Sequence, residues 1–403
     1  MSAGMVSGSG RRSGFAAAGS KARLVLLACC ASHLVTDGLI TAFYPLLPLI
    51  AADLQLSYTA AGSLRAALIG SSSLFQLPAG YLADWVAETT ILGAGMLWMS
   101  LGFAAMALAA GFWPLLALTL GTGIGGSPQH PLATAIVSRM YDSGGRATAI
   151  STLNFAGDMG KALLPALAGL VVLGYGWRGA VLVMGIVGLA VSTGYGLTAW
   201  RLGSTTRAPV SREKKVIGGW GIDRPVSFAL LSAIAVIDNM TRVGALTFVP
   251  FLLTDKGLDA AQVSFLLTLV FAFGAGGKLG CGLLADRFGN VGVVVVTETI
   301  TALSILAVIP LAPLLLVPVL AIFGFVLNGT SSAITTAVAE IVQLERRARA
   351  FGVYFTLYLG LGTFAPMLYG LVADSAGVST ALATMAMVNL TTVPMALLLP
   401  RKP

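Results

Sequence analysis

The sequence predicts an all-α membrane protein with twelve transmembrane helices in two pseudo-symmetric six-helix bundles. Hydrophobic residues make up 57% of the 403 residues and charged residues only 10%, which leaves too few polar groups to cover a soluble protein. Mainly apolar runs of roughly 20 residues or more, the length that crosses about 30 Å of hydrocarbon, recur along the whole chain. Two matching stretches, Gly80 to Asp84 and Gly282 to Asp286, end such runs 202 residues apart.

The apolar runs divide into twelve predicted helices, here called spans 1 to 12. Spans 1 to 6 cover residues 24–50, 58–83, 90–110, 113–138, 147–173 and 178–200. Spans 7 to 12 cover residues 226–253, 260–284, 291–311, 314–340, 350–373 and 379–399. Each is expected to be helical, because a segment inside a bilayer must satisfy its own backbone hydrogen bonds. The 202-residue offset also carries Pro48 onto Pro250 and Asp53 onto Asp255, so the second six spans repeat the first six.

The repeat sets the expected domain limits. Residues 1–23 are rich in Gly and Ser, lack the apolar core of a secretory signal and are interpreted as a flexible cytoplasmic tail. An N-terminal six-helix bundle (24–200) and a C-terminal six-helix bundle (226–399) follow, separated by a hydrophilic linker (201–225) and ending in a short cytoplasmic C-terminus (400–403).

Basic residues in the loops and termini lie overwhelmingly on one side of the predicted membrane. Eighteen fall on the side of the two termini, whereas only Arg178 and Lys256 fall on the other. Because short loops rich in Lys and Arg stay in the cytoplasm, both termini are predicted to be cytoplasmic. The same distribution accounts for the net charge of +8. Membrane lipids are the expected partners of this surface, and no nucleic-acid partner is expected.

Several function classes lack their motifs in this sequence. It contains no GxxxxGK[ST] phosphate loop, so an ion gradient rather than ATP is the expected energy source and no cofactor is predicted. No HExxH motif or recognisable nucleophile and base pair occurs on a helix, so the chain is not expected to be an enzyme. Cys29, Cys30 and Cys281 lack a metal-binding spacing, and no metal site is predicted.

Three pairs of ionisable residues lie deep within predicted spans. A single unpaired charge at the membrane centre costs at least ~2.5–3.5 kcal/mol, so such residues need partners or a water-filled cavity. Members of each pair lie three or four residues apart and therefore share a helix face. The pairs are His33 with Asp37, Asp158 with Lys161, and Asp238 with Arg242.

Span 5 carries a polar stripe. Asn154, Asp158, Lys161 and Pro165 follow an i, i+4, i+7, i+11 spacing, which keeps the polar groups on one side of the helix. That side is expected to face a cavity rather than lipid. Duplicated halves that meet at a midplane cavity are a recurring architecture of secondary transporters.

The duplicated half and its loop motif resemble the major facilitator superfamily. The resemblance implies a monomer and a gating role for these loops. The first copy departs from the pattern, because no basic residue follows its Asp before Glu88. The matched residues are Gly282, Asp286, Arg287 and Gly289 in the second half, with Gly80 and Asp84 in the first.

Within that superfamily, the first half is similar to transporters of the fosmidomycin-resistance type. The similar stretches are Ser32-His33-Leu-Val-Thr-Asp37, Ala42-Phe-Tyr44-Pro45, Gly126-Ser-Pro-Gln-His130-Pro131 and Asn154-Phe-Ala-Gly157. One difference concerns span 5, where Leu164-Pro165 stands in place of the Gly-Pro pair of many proton-driven exporters. Asp37 and Asp238 fall at the centres of spans 1 and 7, which the resemblance implies are cavity-lining equivalents in the two halves.

The candidate residues fall into two sets. Asp37 with His33 is the first candidate for proton coupling, since carboxyl and imidazole groups both titrate and respond to their surroundings. Asp238, Asp158 and His130 complete this set. Arg242 and Lys161 are the candidates for holding a carboxylate, phosphate or phosphonate, unless each base only neutralises the Asp beside it. Further substrate-binding candidates are Asn154, Asn328, Tyr44 and Asn239.

Three other ionisable residues are given lesser roles. Arg65 in span 2 and Lys278 in span 8 are expected to extend their side chains to the membrane interface. Glu298 lies on span 9, which the resemblance places at the periphery, so it is interpreted as structural.

The leading hypothesis is a proton-coupled antiporter that exports a small organic compound, anionic or amphiphilic, by alternating access across a bacterial inner membrane. The closest alternative is an uptake symporter for an organic acid or a metal chelate such as a siderophore. A metal-ion carrier using His33, Asp37 and His130, a membrane-embedded enzyme and a passive channel are the remaining alternatives.

Overall fold

A computed structural model describes residues 19–141, 145–201, 222–343 and 347–399. These residues form helices joined by short connections, with one isolated bridge between Ile222 and Val342. Nine helices in this part of the chain are long and apolar enough to cross a membrane, and one of them contains both span 5 and span 6. The predicted all-helical membrane fold is confirmed. Most of the predicted tail and linker lies outside the described residues.

The first half contains six spans in seven helices. Span 1 is Ser20–Asp53, span 2 is Tyr58–Leu74 with Gln76–Leu82, span 3 is Glu88–Met106, span 4 is Phe112–Gly126 with Gln129–Met140, and spans 5 and 6 lie in Arg146–Arg201. Gly176 divides that last segment, because its φ of +62° is a left-handed conformation that interrupts the helix and favours glycine.

The second half repeats this organisation. Spans 7 to 10 are Pro225–Asp255, Ala260–Phe288, Asn290–Val308 and Pro313–Glu340. Span 11 is Arg347–Gly362 with Ala365–Ala376, and span 12 is Val378–Leu390 with Thr392–Leu397. Spans 2, 4, 11 and 12 are therefore broken rather than continuous, unlike the uninterrupted helices that the sequence predicted.

Proline explains these breaks. The ring of proline removes one backbone donor and clashes with the carbonyl four residues earlier. The helices of spans 2, 11 and 12 each stop four residues before a proline. In span 4, Pro128 lies in the break and Pro131 lies in the first turn of the helix that follows. The three helix ends and their prolines are Leu74 with Pro78, Gly362 with Pro366, and Leu390 with Pro394.

The two basic residues predicted on the sparsely charged side bind equivalent backbone groups in the two halves. This side, where spans 1 and 7 end, is called the distal side, and the opposite side is called the terminal side. Arg178 Nη1 donates to the carbonyls that follow span 3, and Lys256 Nζ donates to those that follow span 9. The acceptors are Ala107 and Ala109 in the first half, and Ile309 and Leu311 exactly 202 residues later in the second.

The two halves pack tightly against each other near the distal side. Asp374 of span 11 accepts hydrogen bonds from the backbone N–H groups of Tyr58 (2.7 Å) and Thr59 (3.0 Å) at the start of span 2. A Cβ on Gly62 of span 2 would collide with the Pro366 carbonyl of span 11, so the two backbones are in direct contact. These contacts close the space between the halves on the distal side.

Candidate functional site

Asp37 is the centre of a group of charged side chains between the spans. Its carboxylate is only 4% exposed and has basic groups from spans 1, 4 and 5 around it. Lys161 Nζ lies 3.0 Å from Oδ2, His33 Nε2 lies 3.4 Å from the same oxygen, and His130 Nε2 lies 3.5 Å from Oδ1. Three of the residues predicted for proton coupling are thus in direct contact.

Local packing orients the two histidines. His33 reaches Asp37 from one helical turn earlier on span 1, and its ring meets the ring of His130 edge-on with centroids 5.0 Å apart. One residue earlier on each span, Ser32 Oγ donates to Gln129 Oε1 at 2.7 Å. This buried hydrogen bond ties span 1 to span 4 and keeps both imidazoles beside the carboxylate.

Span 5 approaches the site through a glycine. A Cβ on Gly157 would lie 2.8 Å from His33 Nε2 and 2.9 Å from Asp37 Oδ2, too close for either side chain to stay in place. The missing side chain at Gly157 therefore lets Lys161, one turn later on the same helix, reach Asp37. The sequence contained this signal in the run Asn154-Phe-Ala-Gly157, but its role becomes visible only when spans 1 and 5 are placed together.

A second carboxylate extends the group across to the other half. Asp158 Oδ1 lies 3.0 Å from Lys161 Nζ, and Lys278 Nζ from span 8 lies 2.7 Å and 2.8 Å from its two oxygens. The prediction that Lys278 extends to the membrane interface is therefore wrong, because an acidic partner lies within reach in the opposite half. The six side chains are called the charged network: His33, Asp37, His130, Asp158, Lys161 and Lys278.

Parts of the charged network are accessible to solvent. The side chains of His130, Lys278 and Lys161 are 50%, 37% and 30% exposed, whereas Asp37 is almost completely buried. Charged groups at this depth cannot face hydrocarbon, so their exposed atoms border a water-accessible space between the halves. The network thus has a buried part at Asp37 and an open part at Asp158 and Lys278.

The same residues include a possible ligand set for a metal ion. One ligand atom each from His33, Asp37 and His130 lie within 4.8 Å of one another. Two imidazoles and a carboxylate suit several transition metals. However, the Lys161 ammonium lies 3.0 Å from the carboxylate and repels a cation placed there. This contact disfavours a metal ion at these three side chains.

Span 7 carries a separate charged group. Arg242 Nη2 donates to Asp238 Oδ2 at 3.0 Å and also contacts the Tyr358 hydroxyl of span 11. The 202-residue repeat places Asn239, not Asp238, at the counterpart of Asp37. Asn239 Nδ2 donates to the Tyr358 backbone carbonyl at 2.8 Å. Asp238 therefore lies one residue, or about 100° around the helix, from the counterpart of Asp37.

Tyr44 and Arg65 lie buried on the distal side of the charged network. The Arg65 guanidinium lies 3.7 Å from the centre of the Tyr44 ring and donates to the Ile40 carbonyl. On another side, Tyr44 stacks on Phe271 of span 8 with centroids 6.3 Å apart. Arg65 is 2% exposed, so the prediction that it extends to the interface is wrong. Together these side chains fill the space between the halves.

The remaining predicted polar residues lie in two different settings, one exposed and one between helices. Asn154 is exposed near the terminal end of the span 5 stripe. Asn328 Nδ2 donates weakly to the Gly324 carbonyl of its own helix at 3.3 Å, and its amide packs against Gly274 of span 8. The structure places Asn328 and Asn239 in contacts between helices.

The loop motifs lie on the terminal side with their carboxylates exposed. Gly80 lies in the second helix of span 2, Asp84 follows that helix, and Asp286 lies in the last turn of span 8. Arg287 stacks over Phe288. Gly289 has a φ of +81°, which ends span 8 and allows span 9 to start at once. Gly282 is half-buried within span 8.

An ion pair between neighbouring spans lies close to the first motif copy. Glu88, at the start of span 3, is buried and forms an ion pair with Arg139 at the end of span 4. This pair does not involve Asp84, the motif residue that lacks a following basic residue. It joins the start of span 3 to the end of span 4.

Glu298 is the one carboxyl in the described spans that is fully buried with neither oxygen hydrogen-bonded. Asn389 of span 12 donates to its backbone carbonyl at 2.9 Å. Glu298 also lies close enough to Asp238 and Arg242 for their charges to interact. Its place inside the second half, rather than at the periphery, was not evident from the sequence.

Comparison with known proteins gives relatives of both efflux and uptake type. The chain is 27% identical to the fosmidomycin resistance protein of Escherichia coli K12, over 90% of each chain. It is 24% identical to the gallate transporter of Pseudomonas putida, over 87% of this chain and 85% of that one.

Solved structures of transporters share the fold. A bacterial homologue of the human lysosomal transporter Spinster, in an inward-facing and unoccupied conformation, superposes with a TM-score of 0.74 at 18% identity. The match covers 94% of this chain and 95% of that one.

The family model described as Major Facilitator Superfamily matches residues 29–234 and 228–403, which together take in nearly all twelve spans. The chain therefore belongs to the Major Facilitator Superfamily, a family of multi-pass membrane transporters and not of enzymes, as the sequence predicted.

Proposed function

We propose that this transporter is a proton-coupled antiporter that exports a small organic compound, anionic or amphiphilic, by alternating access. The observation that carries the proposal is the contact of one buried carboxylate, Asp37, with Lys161 and two histidines. The basic residues on the terminal side support a bacterial cytoplasmic membrane orientation with both termini in the cytoplasm.

Coupling follows from the ammonium group that Asp37 and a substrate would share. A proton on Asp37 removes the negative charge that holds Lys161. An anion bound to Lys161 competes with Asp37 for the same ammonium group. Protonation of Asp37 therefore favours anion binding at Lys161, and this shared ammonium alone would move a proton and an anion together. Antiport follows when the compound competes with the proton for Asp37 itself, as a cationic group of an amphiphilic compound would. His33 and His130 supply groups that can pass a proton to or from Asp37.

A second candidate, proton-coupled uptake of an organic acid or a metal chelate, has its own observation. Asp37 and Asp158 balance Lys161 and Lys278, so the charged network is neutral when both histidines are neutral. An added anion would be most stable if a proton entered with it. This charge balance favours symport, whereas the similarity to a fosmidomycin resistance protein favours export.

A vesicle experiment separates these functions. Inside-out vesicles would be energised, and internal pH would be followed while fosmidomycin, gallate and neutral or cationic drugs are added in turn. Proton efflux on addition of a compound, lost in Asp37→Asn, supports antiport. Acidification of right-side-out vesicles that take up labelled gallate, with no response in inside-out vesicles, overturns export in favour of uptake.

The experiment has one control variant and one further outcome. Asp53→Asn neutralises a carboxylate on the distal side that pairs with Arg178 and lies far along span 1 from Asp37. This variant should keep the response. Non-saturating flux that ignores the gradient would instead indicate a channel. No cofactor and no second protein chain enter the proposal, so the purified monomer in liposomes should reproduce the vesicle result.

A further inference from the structure

The charged network contains an ion pair that crosses from one half to the other. Lys278 of span 8 binds both oxygens of Asp158 of span 5, at 2.7 Å and 2.8 Å. We propose that Asp158 is a built-in occupant of an anion site formed by Lys161 and Lys278, and that the carboxylate or phosphonate of the transported compound displaces it. The inference rests on the proposed function only in taking the substrate to be anionic.

The geometry around Asp158 is that of a bound carboxylate. Lys278 Nζ contacts both oxygens, and Lys161 Nζ contacts Oδ1 from the other side at 3.0 Å. Two ammonium groups from opposite halves thus hold one carboxylate between them. Charge-assisted hydrogen bonds of this kind bind a free carboxylate or phosphonate equally well. Asp158 therefore shows where such a head group fits.

Exposure distinguishes this carboxylate from Asp37. The side chains of Lys278 and Lys161 are 37% and 30% exposed, and Asp158 is more exposed than the buried Asp37. Ion pairs in contact with water contribute only about 0–1 kcal/mol, so a ligand can replace them at little cost. Exchange is therefore expected at Asp158, while Asp37 stays enclosed.

The position of the site gives the exchange a consequence for transport. In the structure, Asp158 and Lys278 join the two halves on the open side of the distal contacts. A ligand that displaces Asp158 takes over this connection, because it contacts Lys161 in one half and Lys278 in the other. Arg242 lies close enough to Lys278 for their charges to interact, so a second anionic group on the ligand has a partner nearby.

The test is anion binding to the purified full-length protein in detergent, without any gradient. Benzoate and phosphonoacetate are the probes, and uncharged benzamide is the matched control ligand. Binding would be measured by isothermal titration with wild type, Asp158→Asn, Lys278→Gln and the double variant. Asp53→Asn, whose carboxylate pairs with Arg178 on the distal side, is the control for loss of a negative charge elsewhere.

Removing the occupant should strengthen binding of both anions. Asp158→Asn is expected to lower their Kd by up to about fivefold, which corresponds to the roughly 1 kcal/mol of an ion pair in contact with water. Lys278→Gln should raise the Kd by a similar factor, and Asp53→Asn should leave it unchanged. In the double variant, loss of Lys278 should cancel the gain that Asp158→Asn produces.

Other outcomes overturn the inference. Equal Kd values in wild type and Asp158→Asn would mean that Asp158 does not occupy the anion site. A gain in the double variant as large as in Asp158→Asn would remove Lys278 from the site. Binding of benzamide as tight as benzoate would show that charge is not recognised. Since no gradient is present, failure of proton-coupled export would leave all these results unaffected.

Discussion

Asp37 and Asn239 occupy the same position in the two halves of the repeat, yet their surroundings differ completely. Asp37 is in contact with Lys161, His33 and His130. Asn239 donates one neutral hydrogen bond to the backbone of span 11. At this pair of positions the duplicated scaffold therefore places a titratable group in the first half, and the second half uses the equivalent position for packing.

Other counterpart positions show that the scaffold itself is retained. Arg178 lies at the start of span 6 and Lys256 directly after span 7, but they bind carbonyls at equivalent positions. Gly160 packs against the backbone of span 1, and its counterpart Gly362 packs against Asn239 of span 7. Helix packing is thus shared between the halves, while the ionisable groups are not. The two halves should respond very differently to loss of charge.

The largest expected effect is at Asp37. Asp37→Asn removes the group that is in contact with three bases, so proton-coupled transport should fall at least about 100-fold, as for loss of a positioned proton-transfer group. Asp238→Asn is the comparison in the second half and should leave proton coupling intact while weakening substrate binding. Proton flux per transported molecule in liposomes measures both. Equal loss of coupling in the two variants would contradict a one-sided titratable centre.

Gly157→Ala should have the next largest effect. The added Cβ would meet His33 Nε2 and Asp37 Oδ2 at less than 3 Å, so one of them must move away and transport should drop about tenfold. Gly194→Ala is the matched control, because a Cβ there has no neighbour within 4 Å. The initial transport rate at saturating substrate is the measurement. If both alanine variants transport equally well, the close fit of span 5 to Asp37 is not needed.

A smaller effect tests the shared scaffold. Arg178→Ala and Lys256→Ala each remove a cation that binds two carbonyls after a span, so each should destabilise the fold by about 1 kcal/mol. The loss should be greater for Arg178, which also pairs with Asp53. Thermal unfolding in detergent, followed by tryptophan fluorescence, provides the comparison. A clear loss in only one variant would show that the two contacts are not equivalent.

Sequence reasoning predicted what depends on neighbouring residues in one helix. The pairs His33 with Asp37, Asp158 with Lys161, and Asp238 with Arg242 all form. Their spacing of three or four residues is sufficient to bring them together.

Contacts between different spans could not be predicted from the sequence alone. Lys278 binds Asp158 across 120 residues, and Tyr358 reaches Arg242 from span 11. Hydropathy does not specify which helix faces are in contact, and a span boundary known to a few residues leaves the facing side undetermined. The helix breaks could have been predicted, because the prolines that cause them are visible in the sequence.

The smallest effect is expected at Tyr358, where the second half holds its own charged pair. Tyr358→Phe removes the hydroxyl that contacts Arg242 but keeps the ring beneath the guanidinium. Because Asp238 still binds Arg242 at 3.0 Å, loss of one hydrogen bond should raise the substrate KM only about two- to fivefold, with proton coupling unchanged. Transport kinetics together with the proton-to-substrate ratio measure this. A change in that ratio would mean that the second half takes part in proton transfer. The two halves would then differ only in how much each contributes to proton coupling.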